Sequence, residues 1–449
     1  MHRNHRLNLF AKLSALLLAT LLALSGCASL QPRIDVDELA ANKQSEEDPV
    51  VLTMWLYGST GLESLVEQYQ QLNPHIKINL VHSPYEDVHN NLQTAFAGGY
   101  GAPDVCLIEV SFMERFKQFP DHFQNLAAMG ALEVGDTYLD WKWRQATNAD
   151  GSFVYGLPTD IGPVALVYNP SLFEEAGLPT DRESIARMMS TWDDFIRVGL
   201  EIKERTGKPM IDQIRTLYRM VLFQAEEQYF DSLTGELIIE SNPAVRDAWN
   251  MATRASELGL SAFLTTWSPE WGKSIAEGDF ATMLSPSWML NDIKANAPEA
   301  VGQWDIAYLP GGSGNWGGSY LTIPKMSKKK PEAYDFIRWM TDPKQQLSLY
   351  KTFNNFPSTP VIYEDPAIRD KRDPFFNDAP VGRIFSNVAK EVRPSYEGAK
   401  QHIINQIMEA ALDQVEERSL TPDEAWAEAM ALIDKQLQLR PWEKEVLPK

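Results

Sequence analysis

The chain has 449 residues, with 61 acidic against 41 basic side chains and a formal charge of −20 when histidine is neutral. A surface so acidic repels phosphate backbones and excludes nucleic acid as the expected partner. With 44% hydrophobic and 10% aromatic residues the composition is globular, and only Cys27 and Cys106 carry thiols.

The first element is an export segment at residues 1–26, with a basic start (Arg3, Arg6, Lys12), an apolar run from Leu13 to Leu24 and small residues Ser25 and Gly26 before Cys27. The apolar run is far shorter than the ~20 residues of a membrane span. Leu24-Ser25-Gly26-Cys27 resembles a bacterial lipoprotein signal. That resemblance implies cleavage before Cys27 and acylation of the cysteine, which anchors the mature chain to a membrane on its extracellular or periplasmic side. Residues 27–49 are then a polar, flexible tether containing Lys43-Gln44-Ser45-Glu46-Glu47-Asp48-Pro49. Removal of the three basic signal residues takes the charge to about −23. Cys106 is left without a partner for an intrachain disulfide. It lies in the apolar run Val105-Cys106-Leu107-Ile108, which predicts a buried, inert thiol.

The body that follows, roughly 400 residues, is long enough for two or three domains. It opens with a strand at Val50 to Trp55, broken by Tyr57-Gly58-Ser59. Leu62, Leu65, Val66, Tyr69 and Leu72 recur at helical spacing until Asn73-Pro74. Ile76, Ile78 and Leu80 alternate as a strand, Val88, Leu92, Ala95 and Phe96 mark a second helix, and Asp104 to Val110 reads as a third strand. This order predicts a parallel α/β layer. A second α/β region is expected from about Tyr155, with a strand at Ala165 to Tyr168 and a helix capped by Thr191 with Asp194 three residues on. Two helices close the pattern. One has Ile404, Ile407, Ala411 and Val415 on a face, and the other starts at the capping box Thr421-Pro422-Asp423-Glu424. No internal repeat is visible.

Catalytic and metal signatures are missing from the sequence. His75, His82, His89, His122 and His402 show no His-Glu-x-x-His spacing, and His82 and His89 read as solvated surface groups. There is no Gly-x-Ser-x-Gly elbow and no phosphate-binding P-loop. Gly312-Ser313-Gly314-Asn315-Trp316-Gly317 satisfies Gly-x-Gly-x-x-Gly, yet Ser319 to Pro324 after it reads as a strand where a dinucleotide site needs a helix. No cofactor or metal is expected. What stands out is aromatic residues beside loop formers: Tyr57, Trp267, Trp288, Trp316 and Tyr396. Trp55, Trp192, Trp249 and Trp339 lie inside periodic segments and read as core. For Trp267, Trp288 and Trp316, core packing and ligand stacking are both open from the residues alone.

Several blocks in fixed order resemble extracellular solute-binding protein family 1, the carbohydrate-binding components of ABC importers. They are Leu52-Thr53-Met54-Trp55, Ala97-Gly98-Gly99 through Ala102-Pro103-Asp104-Val105, and Tyr155-Gly156-Leu157-Pro158-Thr159-Asp160 leading to Val167-Tyr168-Asn169. Phe173-Glu174-Glu175-Ala176-Gly177-Leu178, Thr191-Trp192-Asp193-Asp194-Phe195, Ala276 to Met283, Ser287-Trp288, Leu309 to Gly312 and Gly317-Gly318-Ser319-Tyr320 continue the series. The resemblance implies a two-lobe α/β fold of the periplasmic-binding-protein kind with the ligand cleft between the lobes. It places residues 50–160 and 310–342 in one lobe and 161–309 and 343–449 in the other, with crossings near Pro158 to Pro163, Ala307 to Pro310 and Met340 to Lys344. Carried over by position, the implied ligand-binding residues are Tyr57, Ser59, Thr60, Glu109, Ser111, Asp160, Trp288, Trp316, Gly317, Arg393 and Tyr396. Trp267, singled out by its loop setting, joins them. The implied function is non-enzymatic capture of a sugar by hinge closure and delivery to importer permease subunits, as a monomer. Rival readings are a binder of a polyamine, iron complex or glycerol phosphate ester, or a polysaccharide-cleaving enzyme with Glu109 and Asp160 as its carboxylate pair.

Overall fold

A computed structural model describes residues 48–438. The expected export segment, Cys27 and the tether as far as residue 47 lie outside the described residues. No described helix is long and apolar enough to cross a membrane.

Two sheets organise the body. The first has the order β2-β1-β3-β8-β4, where β1 is Val50–Tyr57, β2 Ile76–Ser83, β3 Val105–Glu109, β4 Gly156–Pro158 and β8 Ser319–Thr322. β1 runs parallel to β2 and β3, as the strand–helix alternation predicts, and β8 runs antiparallel to β3 and β4. The second sheet has the order β6-β5-β7, with β5 Val164–Tyr168, β6 Thr282–Pro286 and β7 Asp305–Ala307. Both of its pairings are antiparallel. Gly156–Pro158 therefore belongs to the first sheet, and the second region begins at Val164 rather than near Tyr155, because β8 returns from far along the chain to pair with β4.

The central strands β3 and β5 are buried along their whole length and read as nearly unbroken apolar runs, whereas the edge strand β2 alternates between buried or half-buried and exposed positions. In β3, Val105 and Leu107 enter one core while Cys106 and Ile108 enter another. In β5, Val164, Leu166 and Tyr168 join a large helical core, and Ala165 and Val167 face the opposite one. This is the two-residue period of a strand put to use twice. Cys106 is fully buried and burial pushes its thiol up, in keeping with an inert role. The helix ends follow the expected chemistry. Thr191 caps Trp192–Thr206 by accepting the Asp194 amide at 3.1 Å, and Thr421 and Glu424 exchange bonds at 3.0 and 3.3 Å before Pro422–Gln438.

Three chain links lie against one another between the sheets. The Trp316 amide donates to Gly162 O at 2.7 Å, the Val164 amide to Gly314 O at 3.0 Å and the Ile161 amide to Phe356 O at 2.9 Å. The third link is thus around Phe356 rather than Met340 to Lys344. The helix Pro343–Phe353 explains the difference, because its Leu349 still packs in the first sheet's core while Tyr350 reaches the second. Leu139 and Trp141 likewise enter the second core, although they precede β4 in the chain.

The links leave no room at Gly162, where an added Cβ would fall 1.8 Å from Trp316 O. Gly162→Ala is expected to lower unfolding free energy by at least about 2 kcal/mol, measured by urea denaturation; an unchanged midpoint would contradict this packing.

Candidate functional site

Parallel strands bring their carboxyl ends to one edge of a sheet, where ligands of α/β proteins commonly bind. Here that edge collects Tyr57 from the end of β1, Glu109 from the end of β3, Thr159 and Asp160 after β4, and Ser319 from the start of antiparallel β8. Facing them are Arg219 on the helix Ile214–Leu222, Trp267 before the helix Pro269–Glu277, Trp288 after β6, and Trp316 in the link before β8. Between these two walls lies a cleft of about 840 Å³. That is within the range of about 300–1,000 Å³ usual for small-molecule sites.

The sheet-edge wall is polar and held in place. Glu109 caps the helix Val110–Lys117, its Oε2 accepting the Ser111 amide at 2.8 Å, the Tyr85 hydroxyl at 2.8 Å and the Ser111 hydroxyl. Its other oxygen, Oε1, faces Gly317, where an added Cβ would sit 3.8 Å away. Asp160 Oδ1 accepts the Ser319 amide at 3.0 Å and the Thr159 hydroxyl at 2.6 Å. Tyr57 shares a hydrogen bond with Ser319 and meets Tyr85 edge-on, with ring centroids 5.1 Å apart. Burial, with the Glu109 charge beside them, raises both phenols far above their ordinary range, so they remain hydroxyls.

The opposite wall is aromatic. Trp267 and Trp288 lie near parallel with centroids 6.5 Å apart, and Trp288 meets Trp316 edge-on at 5.8 Å. Trp288 Nε1 donates to Trp316 O at 3.1 Å, and Trp267 Nε1 donates to Asp292 Oδ2 at 3.1 Å. Arg219 lies 4.5 Å over the Trp316 ring and pairs with Glu409, which fixes the indole from one face. Trp267 is half exposed and holds a left-handed backbone (φ 66°), which is uncommon for a residue with a side chain and occurs disproportionately at functional positions.

Nine of the twelve expected residues line the cleft: Tyr57, Ser59, Thr60, Glu109, Asp160, Trp267, Trp288, Trp316 and Gly317. Ser111 stands behind it, bonded to Glu109. Arg393 and Tyr396 do not reach it. Arg393 borders a separate small recess beside Glu397, and Tyr396 is tied down by its amide, which donates to Glu226 O at 2.8 Å, with its ring against the large helical core. Sequence reasoning missed Tyr85, Arg219, Asn291, Asp292 and Asn355. Of these only Tyr85, next to the Ser83-Pro84 turn, had an aromatic-beside-turn signal; the others lie in segments with no local mark. Among the described residues no three His, Cys, Asp or Glu side chains gather to hold a metal.

The profile of the bacterial extracellular solute-binding protein family matches residues 57–347. The chain belongs to this family. A solved structure of an extracellular solute-binding protein of family 1 is 35% identical and covers 86% of this chain and 99% of its own, with a TM-score of 0.81. The chain is also 25% identical over 427 residues to an arabinooligosaccharide-binding protein of Halalkalibacterium halodurans, spanning 90% of this chain and 93% of that protein. To a lactose-binding protein of Rhizobium radiobacter it is 29% identical over 289 residues, 62% of this chain and 66% of the other. The two-lobe α/β fold implied by the sequence is the fold of this family member, and its relatives are binding proteins that act outside the cytoplasm.

His89, expected at the surface, is fully buried behind the polar wall. It stacks on Phe112 at 3.9 Å, Nδ1 lies 2.7 Å from Tyr85 O, and Nε2 accepts the Glu109 amide at 3.1 Å. The helical spacing that puts Val88 and Leu92 inward carries His89 with them. Burial depresses its pKa from 6.5 to about 3. Because the unfolded chain binds the proton first, His89 contributes stability that is full above pH 6.5 and is lost as pH falls toward 3. Between pH 7 and 4.5 the wild type should lose about 2–3 kcal/mol more than His89→Phe, read as the difference of two urea-unfolding series. Equal losses would show that the imidazole is solvated.

Proposed function

We propose that this protein captures an oligosaccharide in the cleft and hands it to the membrane subunits of an ABC importer. The observation that carries the reading is the pairing of three indoles, Trp267, Trp288 and Trp316, with a facing wall of acceptors built on Glu109, Asp160, Tyr57 and Ser319. A sugar ring presents C–H faces to an aromatic plane and hydroxyls at its rim. Stacking contributes roughly 1 kcal/mol per ring at ~25 cal/mol per Å², and each hydroxyl bond adds about 1 kcal/mol net. The names of the relatives point the same way, toward arabino-oligosaccharides and lactose. The volume of about 840 Å³ suits more than one ring.

In this reading the two sheets and their helices are lobes that close about the links at Gly162, Trp316 and Phe356. The lobes are residues 50–160 with 310–342 and residues 161–309 with 343–449, the last boundary moved on to the link at Phe356. Contacts from both walls favour the closed form, and the equilibrium shifts only by that differential affinity. The lipid on Cys27 and the tether at 27–49 hold a monomer at the membrane, outside the cytoplasm. The sugar leaves unchanged: Glu109 and Asp160 are engaged in positioning Ser111, Tyr85, Thr159 and Ser319, which suits hydroxyl recognition rather than proton transfer.

Thermal unfolding against a panel of arabino-, galacto- and gluco-oligosaccharides, with polyamines, iron chelates and glycerol phosphate esters as controls, tests the reading. A ligand at 100 times its Kd adds about 2.7 kcal/mol to stability, so one sugar series should raise the Tm by several degrees with no product released. A response to a control alone would remove the carbohydrate assignment. In calorimetric titration with the responding sugar, Trp288→Ala should weaken binding at least roughly tenfold, about 1.4 kcal/mol, while Val301→Ala, on the exposed surface, leaves it unchanged.

A further inference from the structure

Lys142 is completely buried, on the short helix Asp140–Gln145. Its neighbours on that helix anchor it from both sides, for Trp141 enters the second core and donates to Ala389 O at 3.1 Å, while Trp143 packs in the first. The lysine side chain runs beneath the cleft floor. Its Nζ lies 4.0 Å from the Tyr320 ring centroid and has no hydrogen-bond partner among the described residues. It sits directly under the link that presents Trp316 and Gly317, since a Cβ added to Gly318 would meet Nζ at 2.9 Å. A buried ammonium without hydrogen bonds is costly, and such groups persist where charge is needed.

The charges around it identify the need. Asp160 from the first link flanks the same Gly318 that Nζ approaches and, with Glu109 from β3, acts on Lys142 from the cleft side, while Glu397, in the recess beside Arg393, carries its charge only above about pH 8. We propose that Lys142 is the buried counter-ion of the cleft, balancing Glu109 and Asp160 when a bound ligand displaces water from those carboxylates. The proposal rests on the sugar-binding reading and deepens it, because an uncharged sugar brings no cation of its own. When the cleft is wet, solvent screens the two carboxylates. When a neutral ligand fills it, their charge is stabilised by Lys142, and the complex holds the lysine proton more tightly than the free protein does.

Burial lowers the Lys142 pKa to about 8. Since the complex holds the proton more tightly, affinity is greatest below that pH and declines as pH rises through it. Burial also raises the Glu397 carboxyl to about 8, so this group ionises in the same window and requires its own control. Tyr320, held well above the ordinary phenol range by burial, remains neutral there.

The test is calorimetric titration of the protein with arabinotriose and with lactose between pH 6.5 and 9.5. The bound sugar should lose affinity roughly tenfold across pH 8 for each unit by which the complex raises the lysine pKa. Lys142→Met should bind roughly tenfold more weakly at pH 7 with a flat profile, yet melt no lower than wild type, because an apolar chain of similar length replaces an unpaired buried charge. Glu397→Gln should retain the alkaline decline. A flat wild-type profile, an unaltered affinity in Lys142→Met, or a decline abolished by Glu397→Gln would each overturn the proposal while the sugar reading stands. Failure of the wild type to bind either sugar or any of the oligosaccharide panel would overturn both.

Discussion

Everything at the cleft depends on three backbone hydrogen bonds that tie the chain links together: Trp316 to Gly162, Val164 to Gly314 and Ile161 to Phe356. They place the floor of the site at the seam between two sheets, each with its own cores. A seam built from a few backbone bonds is the natural place for the proposed hinge, whereas the close-packed cores on either side resist deformation. The seam also determines which side chains meet. Trp316 is carried on one link and Asp160 precedes another, so both walls of the cleft are referenced to the same three bonds.

The polar wall shows how a buried acid is made usable. Glu109 is 8% exposed, but one oxygen is saturated by two hydroxyls and an amide while the other faces the cleft. The bonds fix the carboxylate's orientation before any ligand arrives, so little ordering entropy remains to be lost on binding. Behind it, His89 occupies what would otherwise be a vulnerable space. Neutral and stacked on Phe112, it accepts the Glu109 amide and positions the strand end without adding charge.

Much of this was legible in the sequence, and the misses have physical causes. The strands and helices are largely local patterns: the strand-like run of β1, alternation in β2, helical spacing from Leu62 and a capping box at Thr421 all depend on near neighbours. Aromatics beside turn formers pointed to Trp267, Trp288 and Trp316, which line the cleft, and also to Tyr396, which does not. Arg219 was invisible because nothing about the helix Ile214–Leu222 marks which of its polar positions faces a partner more than 90 residues away in the chain. Arg393 and Tyr396 were carried over by position, and their segment packs away from the cleft, with the Tyr396 amide donating to Glu226 O. His89 was misread because the pattern of its helix counts apolar residues, and a neutral imidazole that finds both hydrogen bonds packs as one. The third link was misplaced because the helix Pro343–Phe353 serves both cores, a division no single periodicity reveals.

A crystal structure of the protein with a responding oligosaccharide decides whether the two walls hold the sugar between them. Sugar rings are expected to stack on Trp288 and Trp316, with hydroxyls on Glu109 Oε1 and Asp160 and the two walls drawn together about the links. A sugar bound away from these indoles, or in the cleft with neither carboxylate in contact, would contradict this arrangement.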